Sequence, residues 1–174
     1  CLFISSFLLC DFFVCRSFIK SKQEKEKFIK YAISKQDFEI LSDLGYCDES
    51  EYTRVVCVSR YKGKFVFSYN KKRKGWEIPG GHIEEAEKWM EAAKREMYEE
   101  TGATKIEIEP VCVYKINSFA LLCFCEILEI KELPKGYEIE KIMFSDKLPD
   151  NLTFPEAYQL YFNIVKEYII ASQK

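Results

Sequence analysis

One acidic segment behind a Pro-Gly-Gly turn constrains this chain more than any other feature. It covers residues 75–103, reads GWEIPGGHIEEAEKWMEAAKREMYEETGA and contains eight glutamates. Its spacing predicts a helix from about Glu85 to Thr101. Gly102 would end this helix, because glycine readily adopts the left-handed conformation of a helix terminus. On a wheel of about 3.6 residues per turn, one stripe is predicted to face the core, and it consists of Ala86, Met90, Ala93 and Met97.

Three glutamates of this helix fall together beside the predicted core face. Glu96, Glu99 and Glu100 share an arc of roughly 100°. Like charges at this spacing destabilise a helix by a few tenths of a kcal/mol per pair, and the helix dipole disfavours anions near its C-terminus. A divalent cation would remove this cost, since carboxylate oxygens suit Mg²⁺ and Mn²⁺. The geometry therefore indicates a metal site, and a solvated acidic surface is the alternative.

The segments on either side are rich in β-branched and aromatic residues. Tyr61-Lys62-Gly63 is a hairpin signal between the first two. Thr153 opens a capping-box sequence before a last helix, whose apolar positions recur at helical intervals. Strands around two helices indicate an α+β or α/β/α sandwich with a mixed sheet. The predicted strands are 53–60, 64–70, 105–116, 119–130 and 137–144.

The acidic segment resembles the Nudix box, the signature of the Nudix hydrolase family. The signature is Gly, five residues, Glu, seven residues, Arg-Glu, an apolar residue, any residue, Glu-Glu, any residue, Gly and an apolar residue. Many family members have glycine where this chain has Ala86, and because alanine suits a helix we expect only a small backbone change there. The nine matching positions are Gly81, Glu87, Arg95, Glu96, Met97, Glu99, Glu100, Gly102 and Ala103.

This resemblance implies an α/β (α+β) fold, the Nudix-type α/β/α sandwich with a mixed β-sheet. It also implies an enzyme that cleaves a phosphoric anhydride bond in a nucleoside diphosphate linked to another group. We expect a nucleoside triphosphate, oxidised forms included, as the substrate. The alternatives are RNA 5′-end pyrophosphohydrolysis, hydrolysis of ADP-ribose or a dinucleotide, and a non-catalytic Nudix-fold nucleotide-binding regulator. The chain length and the sequence KLPDNLTF are similar to those of small bacterial members that act on nucleoside triphosphates or RNA 5′ ends.

The resemblance also implies roles for the matching residues. Glu96, Glu99 and Glu100 would hold Mg²⁺, with Mn²⁺ as a second candidate, and Arg95 would orient one of them through a bidentate pair. These four form the predicted catalytic group. The general base is Glu96, Glu99 or an acid outside the signature. Further metal contacts are expected from the Gly81 carbonyl, from Glu87 in an outer position, and from Glu138, which we prefer to Glu140.

A basic loop just before the acidic segment is the candidate for binding substrate phosphates, although four bases in a hairpin loop are more often only solvated. His82, after the Gly-Gly pair, is a further candidate for contact with substrate. The predicted substrate-binding residues are therefore Lys71, Lys72, Arg73, Lys74 and His82.

The Nudix domain is expected to span 52–174. Residues 1–51 are predicted to be an N-terminal extension, partly appended to the domain, with an apolar segment and a charged helix at 22–35. The apolar run at 1–15 is interrupted by Asp11 and is short for a membrane span, so an anchor or signal is the less favoured interpretation, and a docking helix or strand is an alternative.

Charge and cysteine content bear on partners and location. The net charge of -2 gives no basic field for nucleic acid, so we expect no DNA partner and no membrane partner. An RNA 5′ end remains a candidate partner, because the basic loop by itself could bind its phosphates. Four cysteines lie in strand-like apolar runs and are expected to be reduced core residues of a cytoplasmic protein. They are Cys57, Cys112, Cys123 and Cys125.

Overall fold

The computed structural model describes residues 38–41, 44–45 and 47–172. The apolar run at 1–15 and the helix predicted at 22–35 lie outside these residues. Within them the chain forms eight strands, two α-helices and a short 3-10 helix (Glu49–Glu51). The helices are α1 (Trp89–Thr101) and α2 (Pro155–Ser172). The strands are β1 (Phe38–Leu41), β2 (Tyr52–Tyr61), β3 (Lys64–Asn70), β4 (Gly75–Glu77), β5 (Gly80–His82), β6 (Ala103–Ile116), β7 (Ser118–Ile130) and β8 (Ile139–Ser145).

The strands form one mixed sheet in the order β1-β6-β7-β2-β3-β4, with β5 paired to β2 and β8 paired to β3. β2 and β7 run parallel, whereas the remaining pairs are antiparallel. β1 precedes the predicted domain start at Tyr52 and is hydrogen-bonded to β6. Lys62 and Gly63 both have positive φ, which confirms the hairpin turn between β2 and β3.

Central strand β2 is buried on both faces, as a strand between two helical layers must be. Its side chains alternate, with Val55 and Cys57 in the apolar cluster of α1 and Val56 and Val58 in the cluster of α2. This arrangement confirms the α/β/α sandwich with a mixed sheet. The four cysteines predicted to lie in the core are buried, and neither they nor the partly exposed Cys47 form a disulfide.

Helix α1 begins at Trp89, four residues later than predicted, although Gly102 ends it as expected with φ 74°. The residues before it form a turn, in which the Glu87 N–H donates to the Glu84 carbonyl at 3.0 Å. Ala86 has φ 63° and lies outside the helix, so the helix preference of alanine, on which the expected small backbone change was based, does not act at this position. Ala86 is exposed and Met90 is 41% exposed, so of the predicted core stripe only Ala93 and Met97 are buried.

Replacing Ala86 by glycine is expected to stabilise the fold by about 0.5–1 kcal/mol, because a Cβ disfavours the left-handed conformation that the turn requires. The same substitution at exposed Lys94, inside α1, should destabilise by about 1 kcal/mol, since helical glycine loses more backbone entropy. Urea unfolding of both variants measures the difference. Destabilisation by Ala86→Gly would contradict a strained turn.

The predicted capping box of α2 was wrong. The helix starts at Pro155, and Thr153 lies two residues before it with its Oγ1 buried and without a hydrogen-bond partner. Its backbone N–H donates instead to the Trp76 carbonyl at 3.0 Å, because residues 151–153 run along the edge of β4. The predicted apolar face of α2 is confirmed at Ala157, Tyr161, Ile164 and Val165, all of which are buried. Among the described helices, none has the length and hydropathy to cross a membrane.

Candidate active site

Arg95 organises the turn that precedes α1. Its Nε and Nη2 donate to the two carboxylate oxygens of Glu87, each at 2.8 Å, and Nη2 also donates to the His82 carbonyl at 2.9 Å. Nη1 donates to Glu96 Oε1 at 2.8 Å. The bidentate partner is therefore Glu87, whereas the sequence had suggested a metal-binding glutamate. Arg95 orders Glu96 through one hydrogen bond, the turn through two with Glu87, and the end of β5 through one.

Two consecutive glycines bring the backbone of β5 against the carboxylates of α1. A Cβ on Gly81 would collide with the carboxylate of Glu96. The Gly80 N–H donates to Glu100 Oε2 at 3.3 Å, and the Ser68 hydroxyl donates to the same oxygen at 3.2 Å. Glu96 and Glu100 therefore lie directly against the backbone of the two glycines, where no side chain intervenes.

The acidic side chains of α1 interact electrostatically, as their shared arc predicts. Burial and the charges of Glu96 and Glu77 raise the pKa of Glu100 to about 8. Burial and the charge of Glu96 also raise the pKa of Glu99. By contrast, the hydrogen bonds from Arg95 lower the pKa of Glu87. Glu96, Glu99 and Glu100 therefore form one electrostatic group, whereas Glu87 is ion-paired with Arg95.

The chemistry of this group fits a hard divalent cation, because it offers carboxylate oxygens at a partly buried position. Within the described part of the chain, however, no three acidic, histidine or cysteine side chains are arranged to hold an ion as they stand. The hydrogen bonds of Glu96 to Arg95 and of Glu100 to Ser68 and Gly80 occupy these carboxylates. A bound ion would share these carboxylates with their hydrogen-bond donors or replace the donors.

A cleft of about 640 Å³ lies on the other side of the two glycines. One end is aromatic, where the rings of Phe154 and Tyr158 lie 5.7 Å apart. Tyr114 and Tyr161 lie deeper, with 5.1 Å between their ring centroids. The other end is polar, and it is lined by Thr53, Arg54, His82, Asn117 and Ser118.

The basic loop divides into two parts. Lys71 donates to the Tyr137 carbonyl at 2.8 Å and Lys72 pairs with Glu138, so both are engaged with the segment leading into β8. Arg73 lines the cleft, and its Nη1 donates to both oxygens of Glu77 at 3.1 Å. Lys74 is exposed and its carbonyl accepts a hydrogen bond from Asn151. Of these four bases, the structure places Arg73 at the cleft.

Glu138 lies beside Lys72 and Asn70, whose Nδ2 donates to it at 3.3 Å. The hydrogen bond from Lys72 lowers the pKa of Glu138. These contacts tie Glu138 to the basic loop, whereas the sequence had suggested a place in the metal site. Glu77 of β4 does act on the α1 group, because its charge contributes to the raised pKa of Glu100.

Glu77 and Arg54 are cleft residues that the sequence analysis did not select. Glu77 is 3% exposed and also accepts from Asn70 Nδ2 at 3.2 Å. The position of Glu77 directly before the Ile-Pro-Gly-Gly turn could have marked it as a candidate from the sequence. Arg54 stands in an ordinary strand sequence, which carries no such signal.

Alanine substitutions at the two glycines should have different effects. Gly81→Ala would displace the flexible Glu96 side chain, so we expect a loss of about 10²-fold in turnover with little change in stability. Gly80→Ala would drive a Cβ into the backbone of Val55, so we expect destabilisation by about 1–3 kcal/mol. Thermal melts and initial rates of both variants test this contrast. Equal loss of stability in the two would contradict it.

Comparison with known proteins places this geometry in a family. The NUDIX domain model matches residues 47–142. A Bacillus subtilis (strain 168) protein, YtkD, provisionally named an 8-oxo-dGTP diphosphatase, is 29% identical over 116 residues, covering 64% of this chain and 72% of that protein.

Two solved structures show the same fold. One is a mutant of the Bacillus subtilis pyrophosphohydrolase BsRppH, with a TM-score of 0.64, 23% identity and coverage of 75% of this chain and 90% of that chain. The other is an ADP-ribose pyrophosphatase from Streptococcus suis 89-1591, with a TM-score of 0.50, 18% identity and coverage of 65% and 89%.

The domain match and the diphosphatase relative together define the class, a hydrolase of pyrophosphate bonds. The chain belongs to the NUDIX family, whose domain model covers more than half of it. Members of this family generally use divalent metal ions and act on nucleotide substrates.

Proposed function

We propose that this chain hydrolyses a pyrophosphate bond of a nucleoside triphosphate, oxidised purine nucleotides included. One observation carries the proposal. Gly80 and Gly81 line the cleft and also contact the carboxylates of Glu100 and Glu96. A nucleotide in the cleft would therefore present its phosphates to the acidic helix without a side chain intervening. The similarity to YtkD supports this substrate class.

The cleft suits a nucleotide in size and lining. Its volume of about 640 Å³ lies within the usual range for small-molecule sites, roughly 300–1,000 Å³. Phe154 is 47% exposed at the rim, and its ring makes an edge contact with Tyr158. The Arg73 guanidinium lies 5.9 Å from the same ring. This aromatic end offers a stacking surface for a base, with the buried Glu77 carboxylate as a hydrogen-bond acceptor nearby.

The acidic group would hold the metal ion. Glu96, Glu99 and Glu100 would bind Mg²⁺, with Mn²⁺ as the alternative, and the Gly81 carbonyl is a further candidate ligand. The ion would supply charge neutralisation at the pyrophosphate and help to activate water. Arg95 holds Glu96 and the turn in place. Because Arg95 donates to both carboxylate oxygens of Glu87, this residue would contact the ion only from an outer position.

The general base is proposed from the same group of side chains. Glu99 lies on the acidic arc, and burial raises its pKa, so it would hold a proton more readily than an exposed glutamate. Glu96 is the alternative, although Arg95 donates to one of its oxygens. Glu138 is the weaker candidate outside the signature, because it is paired with Lys72.

A substrate panel with Mg²⁺ tests the proposal. It contains 8-oxo-dGTP, dGTP, 5′-triphosphate RNA, ADP-ribose and a dinucleotide, and it measures orthophosphate and pyrophosphate release separately. We expect the highest kcat/KM with a nucleoside triphosphate. A higher value with RNA, ADP-ribose or the dinucleotide would replace this substrate. Nucleotide binding without any turnover would indicate a non-catalytic regulator.

We also propose a cytoplasmic location. The free cysteines among the described residues support it, since buried thiols without disulfide partners are typical of a reducing compartment.

A further inference from the structure

Arg54 and His82 form an unusual pair at the polar end of the cleft. They are direct neighbours on β2 and β5, and Arg54 Nη2 lies 3.0 Å from His82 Nε2. A guanidinium has no acceptor, so Nη2 must donate and the imidazole nitrogen must accept. In this contact His82 Nε2 is therefore the acceptor for Arg54. The pair orients Arg54 without cancelling its charge.

This uncancelled charge distinguishes Arg54 from the other arginines of the described chain. Arg60 pairs with Glu126 at 2.8 Å, Arg73 with Glu77 at 3.1 Å, and Arg95 with Glu87 at 2.8 Å. For Arg54, no carboxylate among the described residues lies within 4.0 Å of the guanidinium. A guanidinium in a cleft, held by an imidazole and not by a carboxylate, is suited to an anionic ligand.

The surroundings of Arg54 also favour an anion. Thr53 and Ser118 line the same end of the cleft, and their hydroxyl oxygens lie 2.6 Å apart. Gly81, which contacts Glu96, is adjacent to His82 in β5. The polar lining residues therefore adjoin Gly81, which contacts Glu96 of the acidic helix. Phosphate groups that pass Gly81 would come within reach of Arg54.

We propose that Arg54 binds a phosphate group of the substrate and that His82 is a positioning residue for Arg54. This inference rests on the proposed nucleotide hydrolase function and deepens it. It also revises the role of His82, whose side chain contacts Arg54 and whose carbonyl accepts from Arg95. The guanidinium can offer its remaining N–H groups as a fork to phosphate oxygens, which a lysine could not do.

Kinetics of Arg54→Gln test the phosphate contact. We expect KM for the preferred nucleotide to rise about tenfold or more while kcat changes far less. The lost charge-assisted hydrogen bonds would stabilise the bound substrate and the transition state equally. The matched control is Arg60→Gln, which removes the same charge from the same strand at the Glu126 pair. Unchanged KM in Arg54→Gln, or an equal rise in both variants, would overturn the proposal.

Two substitutions test the positioning role of His82. His82→Ala should raise KM by several-fold, because Arg54 loses its acceptor, while the backbone carbonyl that binds Arg95 remains. His82→Gln should recover most of the wild-type KM, since its amide oxygen can accept from Arg54. Combining His82→Ala with Arg54→Gln should add little to Arg54→Gln alone. Full additivity, or no recovery by glutamine, would overturn the positioning role.

A binding measurement separates this inference from the proposed function. Inorganic tripolyphosphate is titrated calorimetrically into metal-free wild-type protein, Arg54→Gln and Arg60→Gln. We expect binding in the wild type and in Arg60→Gln, and at least tenfold weaker binding in Arg54→Gln. If tripolyphosphate binding weakens only in Arg54→Gln and the wild type hydrolyses no nucleotide, the anion site is supported and the hydrolase proposal is overturned. Turnover with equal tripolyphosphate binding in all three proteins would overturn the anion site alone.

Discussion

Replacing Glu100 by glutamine is expected to lower kcat by about 10²–10³-fold while the protein stays folded. The large effect follows from the loss of one carboxylate charge at the point where the pyrophosphate must be neutralised. Folding should survive, because a glutamine oxygen can still accept from Ser68 and from the Gly80 N–H. The same change at Glu99 should have an effect of similar size. Initial rates at saturating Mg²⁺ and circular dichroism measure both properties.

Glu85→Gln is the matched control for these variants. Glu85 is exposed in the same acidic segment and lies before α1, so Glu85→Gln makes the same substitution away from the acidic arc. Its turnover should equal that of the wild type. Near-normal rates in both Glu99→Gln and Glu100→Gln would refute the assignment of the acidic group, and equal losses in all three would indicate a general charge effect.

Mg²⁺ is expected to stabilise the folded protein by about 2.7 kcal/mol at a hundredfold excess over Kd. The physical reason is the repulsion among Glu96, Glu99 and Glu100, which is present only when α1 holds them together. A cation that relieves this repulsion binds the folded chain in preference to the unfolded chain. The increase should raise Tm by several degrees in a chain of this length. Thermal melts with and without Mg²⁺ measure it.

Two comparisons make this measurement specific. The double substitution of Glu99 and Glu100 by glutamine should slightly raise the stability of the metal-free protein, because like-charge pairs are removed. It should also abolish most of the Mg²⁺ response. NaCl at matched ionic strength should give only a small shift in either protein. Equal shifts with both salts in both proteins would show that the helix is an ordinary solvated acidic surface.

Local spacing in the sequence was enough to predict several features of the fold. The 3.6-residue period places Glu96, Glu99 and Glu100 on one side of α1, and the pKa shifts of Glu99 and Glu100 agree with their proximity. Gly102 ends the helix, and Lys62-Gly63 forms the β2–β3 turn, because glycine tolerates positive φ where other residues are strained. Each of these features depends on residues within a few positions of one another.

The start of α1 shows where local rules failed. Alanine favours a helix, yet Ala86 has φ 63° and lies outside it. The Glu84–Glu87 turn is held by Arg95, whose fork binds Glu87 from eight residues away. These contacts outweigh the intrinsic preference of one alanine, which amounts to less than about 1 kcal/mol. Thr153 failed as a helix cap for a similar reason, since its backbone pairs with Trp76.

By itself, the sequence determined the class of this protein, because the signature residues lie within 23 consecutive positions and their spacing encodes the acidic face of one helix. The tertiary structure alone decided which residues share the cleft. Strand pairing brings Arg54 to His82 across 28 positions, and it buries Glu77 beside the glutamates of α1. Such neighbours depend on the register of distant strands, which no local spacing specifies.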